Sequence, residues 1–141
     1  QAEDGIRDAQ EARGLGDGYK RQLQAQGATL AIATSKPDFL AERIARHFGF
    51  RDRFTLICGG TAYGPCSTKA GVIRETLAQL RIDDPSQAVM IGDRRFDIEG
   101  AAAAGMESIG VLWGYGSREE LEKASPDYLA ADIPELRRIL G

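Results

Sequence analysis

One stretch limits what this chain can fold into more than any other: Val89 to Gly105, read VMIGDRRFDIEGAAAAG. A short apolar run, Ala88 to Ile91, stops at Gly92. Asp93 follows at once, and Asp97 comes four residues later, where an alanine-rich helix begins. Such a run reads as a buried parallel strand, and open α/β sheets place their chemistry at the carboxyl ends of those strands. A carboxylate at that spot is placed to hold a hard cation such as Mg²⁺. The same residues also suit a plainer role, with Asp93 capping the helix and Asp97 favouring its positive end.

The pattern repeats along the chain. Leu23 to Gln26 ends a helix, and Gly27 suits its C-terminal cap. Thr29 to Ala33 is a β-rich apolar run, and Thr34-Ser35-Lys36-Pro37-Asp38 is a strand-to-helix turn. The helix after it runs to about Phe48, with Leu40, Ile44 and Phe48 on one face. Phe54 to Cys58 is a strand closed by Gly59-Gly60, and a loop follows to Thr68. A helix from about Lys69 to Leu80 turns Ile73, Leu77 and Leu80 inward. Beyond Gly105, Ser108 to Leu112 is a strand and Trp113 to Gly116 an aromatic and glycine loop. Ser117 to Glu120 has capping-box spacing. Tyr128 to Ala130 is a small edge strand, and Asp132, Pro134 and Glu135 start a last helix ending near Leu140. This β-α alternation predicts an α/β fold: a Rossmann-like parallel sheet with helices on both faces.

At 141 residues the chain is long enough for one domain with a real core. Residues 23–141 form that domain. Residues 1–22 are polar and Gly-rich without sustained periodicity, and are expected to be a non-native or disordered lead-in. With 18 basic and 21 acidic residues and no basic stripe, nucleic acid is not an expected partner. No segment approaches transmembrane length, and the N-terminus has no apolar signal-peptide core, so no membrane role is expected. Cys58 and Cys66 fit no zinc or redox spacing and are expected to be reduced thiols of a cytoplasmic protein. His47, the single histidine, reads as a surface residue.

Three strand ends carry polar residues of distinct types. Thr34 and Ser35 offer hydroxyls beside the free N–H groups of a helix start, a phosphate-binding arrangement as well as an ordinary cap. Lys69 opens a helix whose N-terminus is already positive, a conflict that a bound anion would resolve. Asp93 and Asp97 complete the set. Hydroxyl, lysine and carboxylates at successive strand-to-helix crossings suit Mg²⁺-assisted phosphoryl transfer. Gly59 to Lys69 is not a nucleotide-binding P-loop, because Gly64 is followed by Pro65.

From Leu23 onward the chain resembles the C-terminal part of a haloacid dehalogenase (HAD) superfamily phosphatase, most closely the phosphoglycolate phosphatase-like branch. LAIATSKP is similar to the second motif of that family, STKAGVIRETL to the third and GDRRFD to the fourth. The tail GVLWGYGSREELEKASPDYLAADIPEL is also similar to that branch. The resemblance implies Thr34 and Ser35 as phosphate contacts, Lys69 as a catalytic and phosphate-binding lysine, Asp93 as a Mg²⁺ ligand and Asp97 as its acidic companion. The GDRRFD element after the lysine argues against a phosphoacceptor signalling domain.

The family's first motif carries an aspartate nucleophile and an acid/base aspartate two residues on. It is not found among these residues, nor is the cap domain that follows it. Ala2-Glu3-Asp4-Gly5-Ile6 is its nearest echo, but Ala2 stands at the nucleophile position and no strand precedes it. The resemblance therefore implies an N-terminally truncated HAD-like core whose central strand is missing. That strand would lie between Thr29–Ala33 and Ala88–Ile91. The gap is expected to close by direct pairing of those two strands, or to be filled by another segment or chain, with homo-oligomers through the open edges. The implied function is Mg²⁺-dependent hydrolysis of a small phosphorylated metabolite through an aspartyl-phosphate. The alternative is an inactive truncated domain that binds phosphate and Mg²⁺ or a partner.

Overall fold

The computed structural model describes residues 17–141. Its elements, in chain order, are α1 (Asp17–Ala25), β1 (Ala31–Ala33), α2 (Asp38–His47), β2 (Leu56–Cys58), α3 (Lys69–Gln79), β3 (Val89–Gly92), α4 (Arg95–Ala103), β4 (Glu107–Val111), α5 (Arg118–Ala124), β5 (Tyr128–Ala130) and α6 (Ile133–Leu140). Every strand pairing is parallel. The expected α/β alternation is therefore present, with element ends shifted by a few residues where helix termini and strand ends fray.

The strands form two sheets rather than one. β1 pairs with β2, with Ile32 opposite Ile57, and β3, β4 and β5 form the second sheet in that order. β1 and β3 are not hydrogen-bonded to each other, so the expected direct closure of the gap does not occur. Thr34 N–H donates to the Cys58 carbonyl, and Thr55 N–H to the Leu30 carbonyl. Hydrogen-bonding groups alternate sides along a strand. Residues 30, 32 and 34 therefore face β2, and the carbonyl of Ala33 points into the slot toward β3.

Helices bridge the two half-sheets on both faces. On one, Ile73 and Leu77 of α3 and Ala101 of α4 form a buried cluster that reaches Ala33 of β1 and Met90 of β3. On the other, Ala41 and Ala45 of α2 pack with Phe50, Phe54 and Ile57, while Leu136 of α6 packs with Ile109, Val111 and Ala130. The inner face of α2 is centred on Ala41 and Ala45, the small residues that let the helix approach, with Ile44 and Phe48 flanking it.

Helix α1 joins these last two clusters. Its Tyr19 and Leu23 belong to the β4–α6 cluster, while the Lys20 ammonium lies 5.6 Å from the Phe50 ring centre and 5.7 Å from that of Phe54. Gln24 donates to the Arg53 carbonyl at 2.6 Å. The helix expected to end near Gln26 thus begins at Asp17, inside the stretch expected to be a lead-in. Residues 1–16 lie outside the described residues. His47 is exposed, as expected. No helix among the described residues is long and apolar enough to cross a membrane.

Ile73 is only 1% exposed and sits in the side-chain cluster that spans the two half-sheets. Truncating Ile73→Ala is expected to destabilise the fold by about 2–5 kcal/mol, read from the urea midpoint at unchanged slope.

Candidate functional site

The C-terminal ends of β1, β2, β3 and β4 converge on one set of loops. The β1–α2 turn is built by Thr34, whose Oγ1 accepts the Lys36 N–H at 3.2 Å. Gly59 and Gly60, directly after β2, press against this turn. A Cβ on Gly60 would overlap the Ser35 carbonyl, and one on Gly59 the Asp38 amide. Gly60 N–H also donates to the Lys36 carbonyl at 2.7 Å. The two glycines do more than end a strand, because no larger residue allows this backbone approach.

Lys69 is the first residue of α3. Thr68 caps the helix, its Oγ1 accepting the Gly71 N–H at 3.1 Å. The Lys69 Nζ donates to the Ala33 carbonyl at 2.9 Å and pairs with Asp97 Oδ1 at 2.9 Å. Both side chains are largely buried, at 15% and 11% exposure. The anion that Lys69 calls for at a positive helix end is thus supplied within the chain by Asp97. Gly100 leaves room for the lysine stem, since a Cβ there would come within 3.1 Å of Lys69 Cγ.

Asp97 Oδ2 accepts the N–H groups of Asp93 and Arg94, both at 3.2 Å. Both of its oxygens are therefore committed, one to the β3–α4 turn and one to Lys69. Asp93 is 4% exposed. Its Oδ2 accepts the Tyr115 N–H at 2.7 Å, and its carbonyl accepts the Gly116 N–H at 2.9 Å. A Cβ on Gly114 would overlap the Asp93 side chain, and one on Gly116 the Asp93 carbonyl. The loop from Trp113 to Gly116 is glycine-rich because it lies against this aspartate.

Glu120 of α5 adds a tie from the other side. Its Oε2 accepts from Arg94 Nε at 2.9 Å and from the Arg95 N–H at 3.0 Å. The Arg94 hydrogen bond, followed by that of the Arg95 amide, holds the Glu120 carboxyl below the usual carboxylate range. The same contact raises Arg94.

The structure thus brings Lys69, Asp93 and Asp97 into one hydrogen-bonded unit. Thr34 and Ser35 begin at the next residue after the Ala33 carbonyl that Lys69 holds. No group of three His, Cys, Asp or Glu side chains able to hold a metal occurs among the described residues. The donor set still fits a Mg²⁺ ion, which keeps several waters and takes one or two carboxylates. Asp93 Oδ2 is fixed, and no hydrogen bond to Oδ1 is seen among the described residues. Lysine carries three N–H donors, and two are committed here. Sequence reasoning missed Glu120, Gly114 and Gly116. Their local signals were the two glycines flanking Tyr115 and, for Glu120, the capping-box spacing from Ser117.

This is an α/β domain with its polar residues gathered at the carboxyl ends of parallel strands. Residues 68–136 match the HAD-hydrolase-like family model. A 5'-nucleotidase of Pseudomonas aeruginosa is 39% identical over 88% of this chain and 57% of its own length. A phosphoglycolate phosphatase of Neisseria meningitidis is 35% identical over 81% of this chain and 49% of its own. The solved structure of Mycobacterium tuberculosis protein tyrosine kinase A superposes with a TM-score of 0.72 at 41% identity, over 93% of this chain and 65% of that one. The chain is a phosphatase-like protein of the haloacid dehalogenase superfamily, and it spans about half the length of the curated relatives it matches.

Two outcomes follow for the site. Gly114→Ala is expected to force the loop off Asp93 and cost about 1–3 kcal/mol, measured by chemical denaturation. Glu120 contributes stability above the ordinary carboxylate pKa of about 4.3, and loses it as pH falls through the lowered folded-state value. The stability difference between wild type and Glu120→Gln should therefore be full at pH 7 and shrink on acidification below about pH 4. Denaturant midpoints against pH read it.

Proposed function

We propose that this chain carries the cation- and phosphate-binding part of a Mg²⁺-dependent phosphomonoester hydrolase acting on a small phosphorylated metabolite in the cytoplasm. The observation that carries this reading is the uncommitted third N–H of a largely buried Lys69, beside the Asp93 carboxylate with one oxygen open. In this reading Lys69 donates to a phosphoryl oxygen, and the Thr34 hydroxyl and the amides of the β1–α2 turn hold the other oxygens. Asp93 would hold Mg²⁺, which neutralises developing phosphoryl charge when bound. Asp97 holds Lys69 in place, and reaches the ion as a direct ligand only by releasing an oxygen from that pair. The aspartyl-phosphate route implied by the family requires a nucleophile outside the motifs found here.

The relatives carry names with different phosphorylated substrates, so the substrate class stays at phosphomonoester. The likeness to a tyrosine kinase fits the same chemistry, because Lys69 and Asp93 would serve phosphoryl transfer as well as hydrolysis. A second reading, a domain that binds phosphate and Mg²⁺ without turnover, is favoured by the lack of an Asp-x-Asp-Gly-Thr pattern in these 141 residues.

The test is p-nitrophenyl phosphate hydrolysis with and without Mg²⁺, alongside calorimetric titration of Mg²⁺ and inorganic phosphate. Hydrolase function predicts Mg²⁺-dependent turnover that Asp93→Ala lowers at least about 100-fold, as for loss of a preorganised electrostatic group. Lys69→Met should weaken phosphate binding. Binding of both ligands without turnover supports the second reading, and turnover that survives Asp93→Ala contradicts the cation role.

A further inference from the structure

Ser117 and Glu120 have the spacing of a capping box, in which the serine caps the helix and the glutamate returns a bond to the serine's own amide. Only half of that box is made. Ser117 Oγ accepts the Glu120 N–H at 3.0 Å, but the Glu120 carboxylate turns away to Arg94 and Arg95, 26 and 25 residues back. A local helix-stabilising bond is forgone for a long-range one. We infer that Glu120 is a positioning residue for Asp93, holding its carboxylate oriented for a divalent cation. This rests on the cation role given to Asp93 above.

The connection is continuous. Amides 93, 94 and 95 of the β3–α4 turn are each accepted by a carboxylate: the first two by Asp97, the third by Glu120. Asp97 belongs to the helix it caps, so it fixes the turn only against its own element. Glu120 instead fixes the turn against α5, and α5 follows directly from the loop whose Tyr115 and Gly116 amides hold Asp93. Glu120 also lines that loop, since a Cβ on Gly116 would come within 3.0 Å of its Oε2. The turn, loop and helix start therefore form a closed ring of hydrogen bonds with Asp93 inside it. The Glu120 link holds the turn to α5 independently of Asp93, so its loss loosens the bond from Tyr115 to Asp93 Oδ2. Residues that orient metal ligands from behind typically change cation affinity by about 10–100-fold.

The experiment titrates Mn²⁺ into the full chain and its variants by calorimetry, and follows amide hydrogen exchange at Tyr115 without metal. Glu120→Ala is expected to weaken Mn²⁺ binding about 10-fold or more and to speed Tyr115 exchange. Glu120→Gln keeps an oxygen for the Arg95 amide and should fall between wild type and Glu120→Ala. It also serves as the reading if the alanine variant does not fold. Ser117→Ala removes the helix cap alone, and should lower the melting temperature while leaving Mn²⁺ affinity and Tyr115 exchange near wild type. Unchanged Mn²⁺ affinity and Tyr115 exchange in both Glu120 variants would overturn the positioning role, as would an equal loss of affinity in Ser117→Ala. The cation reading fails separately: Asp93→Ala would then bind Mn²⁺ as wild type does, while Tyr115 exchange still reports whether Glu120 holds the loop.

Discussion

The contact on which the site depends is the one made by the Lys69 ammonium. It reaches from the start of α3 to the last carbonyl of β1 and to a carboxylate on α4, and so joins the two half-sheets by a polar link. Desolvating an ion pair is costly unless its remaining hydrogen-bonding capacity is met. Here the carboxylate is met in full, by Lys69 and two backbone amides, while the lysine retains one donor. That imbalance leaves the lysine able to donate to a further acceptor.

Around that pair the strand ends are held by close backbone approach. Gly59 and Gly60 press β2 onto the turn after β1, and Gly114 and Gly116 press the β4 loop onto Asp93. Two of these approaches carry main-chain hydrogen bonds, from Gly60 N–H to the Lys36 carbonyl and from Gly116 N–H to the Asp93 carbonyl. On its β3–β4 side the site is tied by hydrogen bonds among turn, loop and α5. On the β1–β3 side it adjoins a slot that is bridged, among the described residues, by helix packing and by Lys69. Among the described residues no strand pairs with β1 and β3 across this slot, and such an edge is a place where another strand can add.

Much of this was readable in advance. The apolar run ending in Gly92-Asp93, the Thr-Ser turn before Pro37 and the lysine at a helix start each marked a strand-to-helix crossing, and all three lie at the same edge of the fold. The expected partners differed in detail. Asp97 looked like a companion to Asp93 at a cation, yet its oxygens are committed to Lys69 and to the turn. The capping-box spacing at Ser117 was legible, whereas the destination of the Glu120 carboxylate was not. Tyr19 and Lys20 sit in a stretch too polar to show helical periodicity, and only their burial against separate clusters shows that α1 joins them.

Periodicity, turn chemistry and caps are local properties, so the order and kind of elements, the parallel direction of the strands and the residue types at each strand end follow from the residues alone. The sequence could not determine which carboxylate meets which cation. Lys69 and Asp97 are 28 residues apart, Asp93 and Tyr115 22, and Arg94 and Glu120 26. Such pairs form only once packing of α3 on α4 and of α5 beside the sheet has brought distant loops together. The separation of β1 from β3 was likewise decided by tertiary packing. Whether two strands pair or stand apart depends on the helices across them, here Ile73, Leu77 and Ala101, rather than on either strand's own residues.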